Sequence, residues 1–284
     1  MRTRLFCALA LLLSSVAIAQ SPPSVSPETV VVPSGNLRLK GLLWRPAGTI
    51  PSPAVLFVHG SGSTDAAHTG ELAITEAAAL LAPVFVKHGY AFLYLFRRGQ
   101  GLSADQGPFI QDVLQREKAA KGDEARKHLQ FVLLTTDHLD DVMAGLSFLK
   151  TLHGVDAHRI AVVGHSIGGQ LTLLAAEQDS SLRAAVTFGA AAASWDGSPE
   201  IRELMLTAVR NTTVPLMLLH AANDYSTASG KALDSELARL NRPHALRIYP
   251  PFGKTSDDGH MFVYTDIPEW EADVFGFLDQ YCKP

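Results

Sequence analysis

Cysteine is nearly missing from this chain: its 284 residues contain two, Cys7 and Cys282. Cys7 falls in a segment with the pattern of an export signal. A mature chain would therefore carry Cys282 alone and form no intramolecular disulfide, even in an oxidising compartment. The fold must stand on its core, and Cys282, close to the C-terminus, reads as an incidental thiol rather than a reactive one. An excess of positive charge is missing too. Against 28 Asp and Glu there are 24 Lys and Arg, net charge −4, with no basic block anywhere, which excludes a nucleic-acid surface. Charged residues make up only 18% of the chain and hydrophobic ones 47%, a balance that excludes disorder as the general state. No metal-ligand cluster or phosphate-cradling loop is present, so no cofactor is expected. No internal repeat or second domain boundary interrupts the sequence.

The one sustained apolar run is at the start. "MRTRLFCALALLLSSVAIAQ" has a basic beginning, an apolar stretch from Leu5 to Ala17, and small residues at Ala17 and Ala19, the pattern a signal peptidase reads. Residues 1–19 are expected to be a signal peptide cut after Ala19, because the run is short of the ~20 residues a spanning helix needs. Loss of Arg2 and Arg4 would leave 22 basic against 28 acidic residues, net −6. The mature protein is expected outside the cytoplasm, secreted or periplasmic, without a stable membrane anchor. Residues 20–27, rich in Pro and Ser, read as a flexible arm.

From residue 28 onward the chain alternates between two patterns. Val30 to Val32 and Leu37 to Trp44 flank Ser34-Gly35-Asn36, a turn signal that predicts a hairpin. Six further runs are apolar almost without alternation: Ala54–Val58, Tyr90–Phe96, Ile160–Val163, Ala184–Phe188, Pro215–His220 and Ala245–Tyr249. Such runs fit strands buried on both faces of a parallel sheet. Between them, Leu139, Val142, Met143, Leu146 and Leu149, and later Trp270, Val274, Phe277 and Leu278, recur at helical spacing. The expectation is an α/β fold of one domain over 28–284: a mostly parallel, twisted eight-stranded sheet with helices on both faces. Residues 107–136 break the rhythm and read as a helical insertion, either a lid over the strand ends or a longer crossover.

In such a sheet, ligands sit beyond the carboxyl ends of the strands, where three loops attract notice. The strand ending at Val163 runs into Gly164-His165-Ser166-Ile167-Gly168-Gly169 and then a helical pattern. A strand-to-helix turn this tight strains its middle residue, and glycines two positions to either side let neighbouring backbone approach. Ser166 is pushed out of the turn at a helix N-terminus, where developing negative charge is favoured. It is the candidate nucleophile.

A serine hydroxyl needs a base, and the base an orienting carboxylate. "LMLLHAANDYS" places Asp224 after a late strand, and "PPFGKTSDDGHMFVY" places His260 between the last strand and the last helix. The chain order Ser166, Asp224, His260 follows, with Asp196, after the preceding strand, as the competing acid. Asp257 and Asp258 read as the turn that presents His260. His165 reads as a packing or hydrogen-bonding residue, and His68, His88, His128, His138, His153, His158 and His244 as surface or helix-end residues. Oxyanion donors are expected from the N–H of Ile167 and from the N–H of Ser61, in the glycine turn His59-Gly60-Ser61-Gly62-Ser63. The stretch "GAAAASW", Gly189 to Trp195, is a candidate pocket wall.

Taken together, "FVHGSGS", "FRRGQGLS", "VDAHRIAVVGHSIGG", "LLHAAND" and "DDGHMF" resemble the α/β-hydrolase superfamily. Within it they resemble most the dienelactone-hydrolase-related and prolyl-oligopeptidase-like serine hydrolases, from about Glu28 to the end. The resemblance implies a serine hydrolase, carboxylesterase-like, acting on a small-molecule ester or related acyl substrate. Dienelactone hydrolases proper use a cysteine where Ser166 stands, so their lactone substrate is not implied. Phe96 replaces the usual acidic residue before the arginine-glycine turn, and Ala221 the usual glycine ahead of the acid. Arg98 and the turn through Gly101 are expected to scaffold the site, with a contact from Arg97 or Arg98 to an anionic substrate as the alternative. Amidase or peptidase activity, or a noncatalytic binding protein of the same fold, are the rival readings; the latter would be marked by loss of a triad member, and none is lost.

Overall fold

A computed structural model describes residues 26–48, 51–61 and 73–283. The expected signal peptide, most of the N-terminal arm and His68 lie outside the described residues. Eight strands form one sheet: β1 (Glu28–Ser34), β2 (Leu37–Trp44), β3 (Ser52–Val58), β4 (Ala91–Leu95), β5 (Val155–His165), β6 (Ala184–Phe188), β7 (Leu216–Ala221) and β8 (His244–Tyr249). Their order across the sheet is β1-β2-β4-β3-β5-β6-β7-β8. β1 and β2 form the antiparallel hairpin, β2 joins β4 antiparallel, and every later pairing is parallel. Gly35 turns the hairpin with φ +55°, a region that costs glycine little.

Strand residues alternate between two apolar layers, as a pleated sheet requires. Leu56, Val58, Leu93, Leu95 and Val162 face one side, and Val55, Phe57, Phe92, Tyr94 and Val163 the other. Helices α4 (Asp137–Thr151), α5 (Ile167–Gln178), α6 (Pro199–Asn211) and α7 (Ala228–Arg239) cover the first layer. The second is covered by α1 (Ile74–Lys87) and α10 (Ile267–Cys282), with the short α8 (Ser256–His260) and α9 (Phe262–Thr265) leading into α10.

The insertion is helical. After a 3-10 turn at Gly101–Gln106 come α2 (Ile110–Lys121) and α3 (Asp123–Thr135). They pack on each other, and α3 docks on α4, α5 and α6, burying Ile110, Leu114 and Leu134 in the same cluster as Ile167 and Trp195.

One expectation needs correction. β5 begins at Val155, five residues before its apolar run, because "VDAHR" is only partly covered. His138 is a helix-end residue as read, in the first turn of α4, and is also buried, 2% exposed, because it lies toward the Arg97–Arg98 turn; burial and then those two cations hold it neutral, well below its ordinary pKa. His88 is a helix-end residue as read, the C-cap of α1, half-buried with its ring stacked on Phe275 at 3.8 Å between centroids.

Candidate active site

The turn between β5 and α5 places Ser166 at φ +57°, ψ −121°, a conformation that costs a non-glycine residue about 1–3 kcal/mol. Its surroundings leave it no alternative. A Cβ at Gly164 would stand 2.3 Å from the carbonyl oxygen of Gly168, and one at Gly168 would stand 1.9 Å from the carbonyl oxygen of Val58. Both glycines therefore allow the start of α5 to lie against β5 and the end of β3. The Ser166 N–H donates to the Phe188 carbonyl at 2.8 Å, tying the turn to the end of β6. The Ile167 N–H, first in α5, is one of the donors a helix leaves without an internal partner.

Asp224 follows β7 and His260 ends α8. His260 Nδ1 lies 2.7 Å from Asp224 Oδ1, and both residues are buried at 7% exposure. Asn223 fixes the two loops to each other: its Nδ2 donates to the carbonyls of Phe252 and Thr255 at 2.6 and 2.7 Å, and its Oδ1 accepts from Phe252 N–H at 2.8 Å. Asp258 forms a capping box with Thr255 at the start of α8, so the acidic pair before His260 opens a helical turn rather than a loop. Asp257 accepts from the Tyr225 hydroxyl. Tyr225 itself is 46% exposed, with its ring 4.7 Å from that of His260. Asp196, the competing acid, is exposed in the loop after β6.

Gly189, next to Phe188, completes the junction. Its φ is +59°, and a Cβ there would stand 2.9 Å from Asp224 Oδ2 and 3.0 Å from the His260 ring. The serine turn and the His–Asp pair thus meet at the end of β6. His165 closes the contact from the other side: its Nε2 donates to the His260 carbonyl at 2.9 Å, and its Nδ1 accepts from the Tyr264 hydroxyl at 3.2 Å. Burial first, and the nearby His260 second, push its pKa down to about 3, so it is a neutral hydrogen-bonding residue, as its place in the turn suggested.

One member was not singled out from the sequence. His220, 1% exposed in β7, places Nδ1 3.0 Å from Asp224 Oδ2, and its Nε2 faces Ser229 Oγ at 3.5 Å. The Tyr225 N–H donates to Asp224 Oδ1 at 2.8 Å. Burial would raise the pKa of Asp224, but the hydrogen bonds from His220 and His260 outweigh it and leave the carboxyl well below its ordinary range. The signal for His220 was its spacing in "HAAND", four residues ahead of the acid.

Other predicted parts resolve as follows. Gly60 packs on the serine turn, a Cβ there lying 3.3 Å from Ser166 Cβ, and Ser61 follows it, half-buried. Arg98 is a scaffold: its guanidinium grips buried Asp141 through Nε at 3.0 Å and Nη2 at 2.8 Å, and reaches Asp137 through Nη1 at 2.7 Å. Arg97 is fully buried. Both guanidiniums are engaged within the protein, Arg97 by loop carbonyls and Arg98 by carboxylates. In the Gly189–Trp195 stretch, Ala190, Ala191, Ala192 and Trp195 are buried, so most of it is core rather than pocket wall.

A predominantly parallel eight-stranded sheet covered by helices on both faces, with a serine turn after β5 and a His–Asp pair after β7 and β8, defines an α/β-hydrolase. The chain belongs to the dienelactone hydrolase family, whose model matches residues 39–266. Among solved structures it is similar to a dienelactone hydrolase from Anabaena variabilis, 20% identical, covering 91% of this chain and 100% of that one at a TM-score of 0.62. It is also similar to a Pyrococcus furiosus esterase, 16% identical over 91% of each chain, TM-score 0.62. An acylaminoacyl peptidase from Pyrococcus horikoshii matches at 17% identity and TM-score 0.63 over 90% of this chain but 42% of that one. At these identities the likeness is one of fold. The quorum-quenching protein AidA of Acinetobacter baumannii is 24% identical over 162 residues, which span 57% of this chain and 43% of that relative.

Proposed function

We propose that the protein is a serine hydrolase that cleaves carboxylic esters through an acyl-enzyme on Ser166. The observation that carries this reading is the buried 2.7 Å contact between His260 Nδ1 and Asp224 Oδ1, joined through Gly189 and Phe188 to a serine held at positive φ. With its Nδ1–H given to Asp224, His260 keeps the Nε2 lone pair for use as a base. Ser166 Oγ attacks the acyl carbon while its proton passes to Nε2, and the carbonyl oxygen, now an oxyanion, takes the N–H groups of Ile167 and Ser61. Collapse of this intermediate breaks the bond to the leaving alcohol, which takes the proton from Nε2. A water molecule then repeats the sequence on the acyl-enzyme and frees the acid and Ser166.

A fluorophosphonate tests this directly: Ser166 Oγ should displace fluoride and leave a phosphonyl adduct visible by intact mass. Absence of an adduct on active protein, or unchanged activity in Ser166→Ala, sinks the reading. A panel of p-nitrophenyl esters of increasing acyl length beside aminoacyl amides sets ester against amide preference, and faster amide turnover would favour a peptidase. We further propose that the protein acts outside the cytoplasm, supported by the Ala17-Ile18-Ala19 pattern. N-terminal sequencing of the native protein should then begin at Gln20.

A further inference from the structure

We propose that Arg97, with Gln100, is the positioning element of the oxyanion-binding loop: it grips that loop by its carbonyls, turns the Ser61 N–H toward Ser166, and sets a buried cation behind it. The inference rests on the serine-hydrolase reading and assigns residues that reading does not use. Arg97 and Gln100 are both 0% exposed. Arg97 Nη1 donates to the His59 carbonyl at 2.7 Å and Nη2 to the Gly60 carbonyl at 2.9 Å and to Gln100 Oε1 at 3.2 Å. Gln100 Nε2 donates in turn to the Ser61 carbonyl at 2.5 Å. Three consecutive carbonyls of the loop are therefore held by one connected pair of side chains.

His59 adds a fourth bond. It is fully buried and kept neutral by burial and by Arg97; its Nδ1–H donates to the Gly60 carbonyl at 2.7 Å, while its Nε2 accepts from the Arg97 N–H at 3.4 Å. These partners fix a direction, because the C=O and N–H of one trans peptide unit point opposite ways. The Gly60 carbonyl and the Ser61 N–H belong to the same unit. With the carbonyl drawn down onto Arg97 and His59, the N–H is turned away from them, on a segment whose Gly60 packs against Ser166.

The charge matters as well as the grip. Among the described residues no carboxylate is in ion-pair contact with Arg97, and the nearby Asp141 is bound to Arg98. Burying a cation without a direct counter-ion is costly, and burial holds the Arg97 pKa down to about 10, with Asp141 opposing. A positive charge in a water-poor site behind the donor favours the negative charge that develops in front of it.

The test is the rate at which a fluorophosphonate labels Ser166, read by intact mass, for the wild type, Gln100→Leu, Arg97→Met and Arg97→Lys, each with its thermal midpoint. Gln100→Leu is expected to keep its midpoint and label about tenfold more slowly; Arg97→Met should lose about 100-fold, the scale of a missing oxyanion donor. Arg97→Lys should fall between them at pH 7 and decline further toward pH 9, as a buried ammonium gives up its proton below the ordinary lysine range. The groups facing position 97 are His59 and His138, held neutral, Tyr94 and Tyr264, held protonated by burial, and Asp141. The new lysine would therefore be the group that titrates. Wild-type rates in Gln100→Leu and Arg97→Lys, or a lysine deficit that does not deepen with pH, overturn the proposal. Where the Arg97 variants fail to fold, Gln100→Leu decides: a wild-type rate at a wild-type midpoint overturns it. A wild-type protein that takes no label at Ser166 defeats the serine-hydrolase reading itself, a result separate from all of these.

Discussion

His220 and Asp224 are joined from Nδ1 to Oδ2 at 3.0 Å, so the carboxylate that holds His260 through one oxygen is itself held through the other. Freed of His220, the carboxylate loses the contact that fixes its rotation. A hydrogen bond to a charged group contributes about 1.5–3 kcal/mol, so His220→Leu is expected to lower kcat by about tenfold or more with KM nearly unchanged. His220→Asn keeps an amide N–H near the place of Nδ1 and should recover most of the loss. Steady-state kinetics beside thermal midpoints decide it, and a wild-type kcat in His220→Leu would show the contact to be idle.

Asp224→Asn preserves shape and removes charge. Conversion of a triad acid to its amide costs about 10⁴-fold in kcat, and a loss of that order is expected here. Asp196→Asn, on an exposed residue away from His260, should stay near wild type. The reverse pattern, at unchanged thermal midpoints, would move the acid to the loop after β6.

Gly168→Ala should damage folding more than a surface change of the same size. The added methyl would stand 1.9 Å from the Val58 carbonyl oxygen and 2.4 Å from that of His59, both backbone, so the start of α5 must shift. Overpacking of this kind costs about 1–3 kcal/mol. A thermal midpoint equal to the wild type would contradict the packing described here.

Acid should destabilise the protein through its buried histidines. His165 has a folded pKa of about 3 against an ordinary 6.5. Above 6.5 it is neutral folded or unfolded; below 6.5 the unfolded chain takes up a proton that the folded chain refuses until about 3. Stability is thus full above 6.5 and is lost as pH falls toward 3. His59 and His138, also lowered by burial, act with the same sign. Thermal midpoints measured from pH 7 to pH 4 should fall steadily, and His165→Asn should show a shallower decline. Parallel slopes for the two proteins would remove His165 from the explanation.

The sheet was legible because β3, β4, β6, β7 and the second half of β5 are buried along their length and therefore read as unbroken apolar runs; β5 was underestimated, since its first half lies outside the helical cover. The serine turn was legible because a strained backbone demands glycines at fixed offsets. The supports beneath the site were not. His220 sits inside an apolar strand, where a histidine has no periodicity of its own, and its role exists only once the chain folds back four residues later. His138 directly precedes the apolar face of α4 and became core because a turn 40 residues earlier covers it. Arg97 offered from sequence only an alternative contact with an anionic substrate; its grip on the His59 and Gly60 carbonyls emerges only once the two loops are brought together.

Cys282 is buried against the second apolar layer in the last turn of α10, and burial pushes its thiol up to about 12. A protonated, enclosed sulfur is inert toward maleimides and disulfide reagents. It becomes reactive only in the moments when the end of α10 swings away from the sheet. With no other cysteine in the chain after Cys7, the rate of thiol capture becomes a clock for that opening, a built-in reporter of how often the C-terminal helix lets go under native conditions.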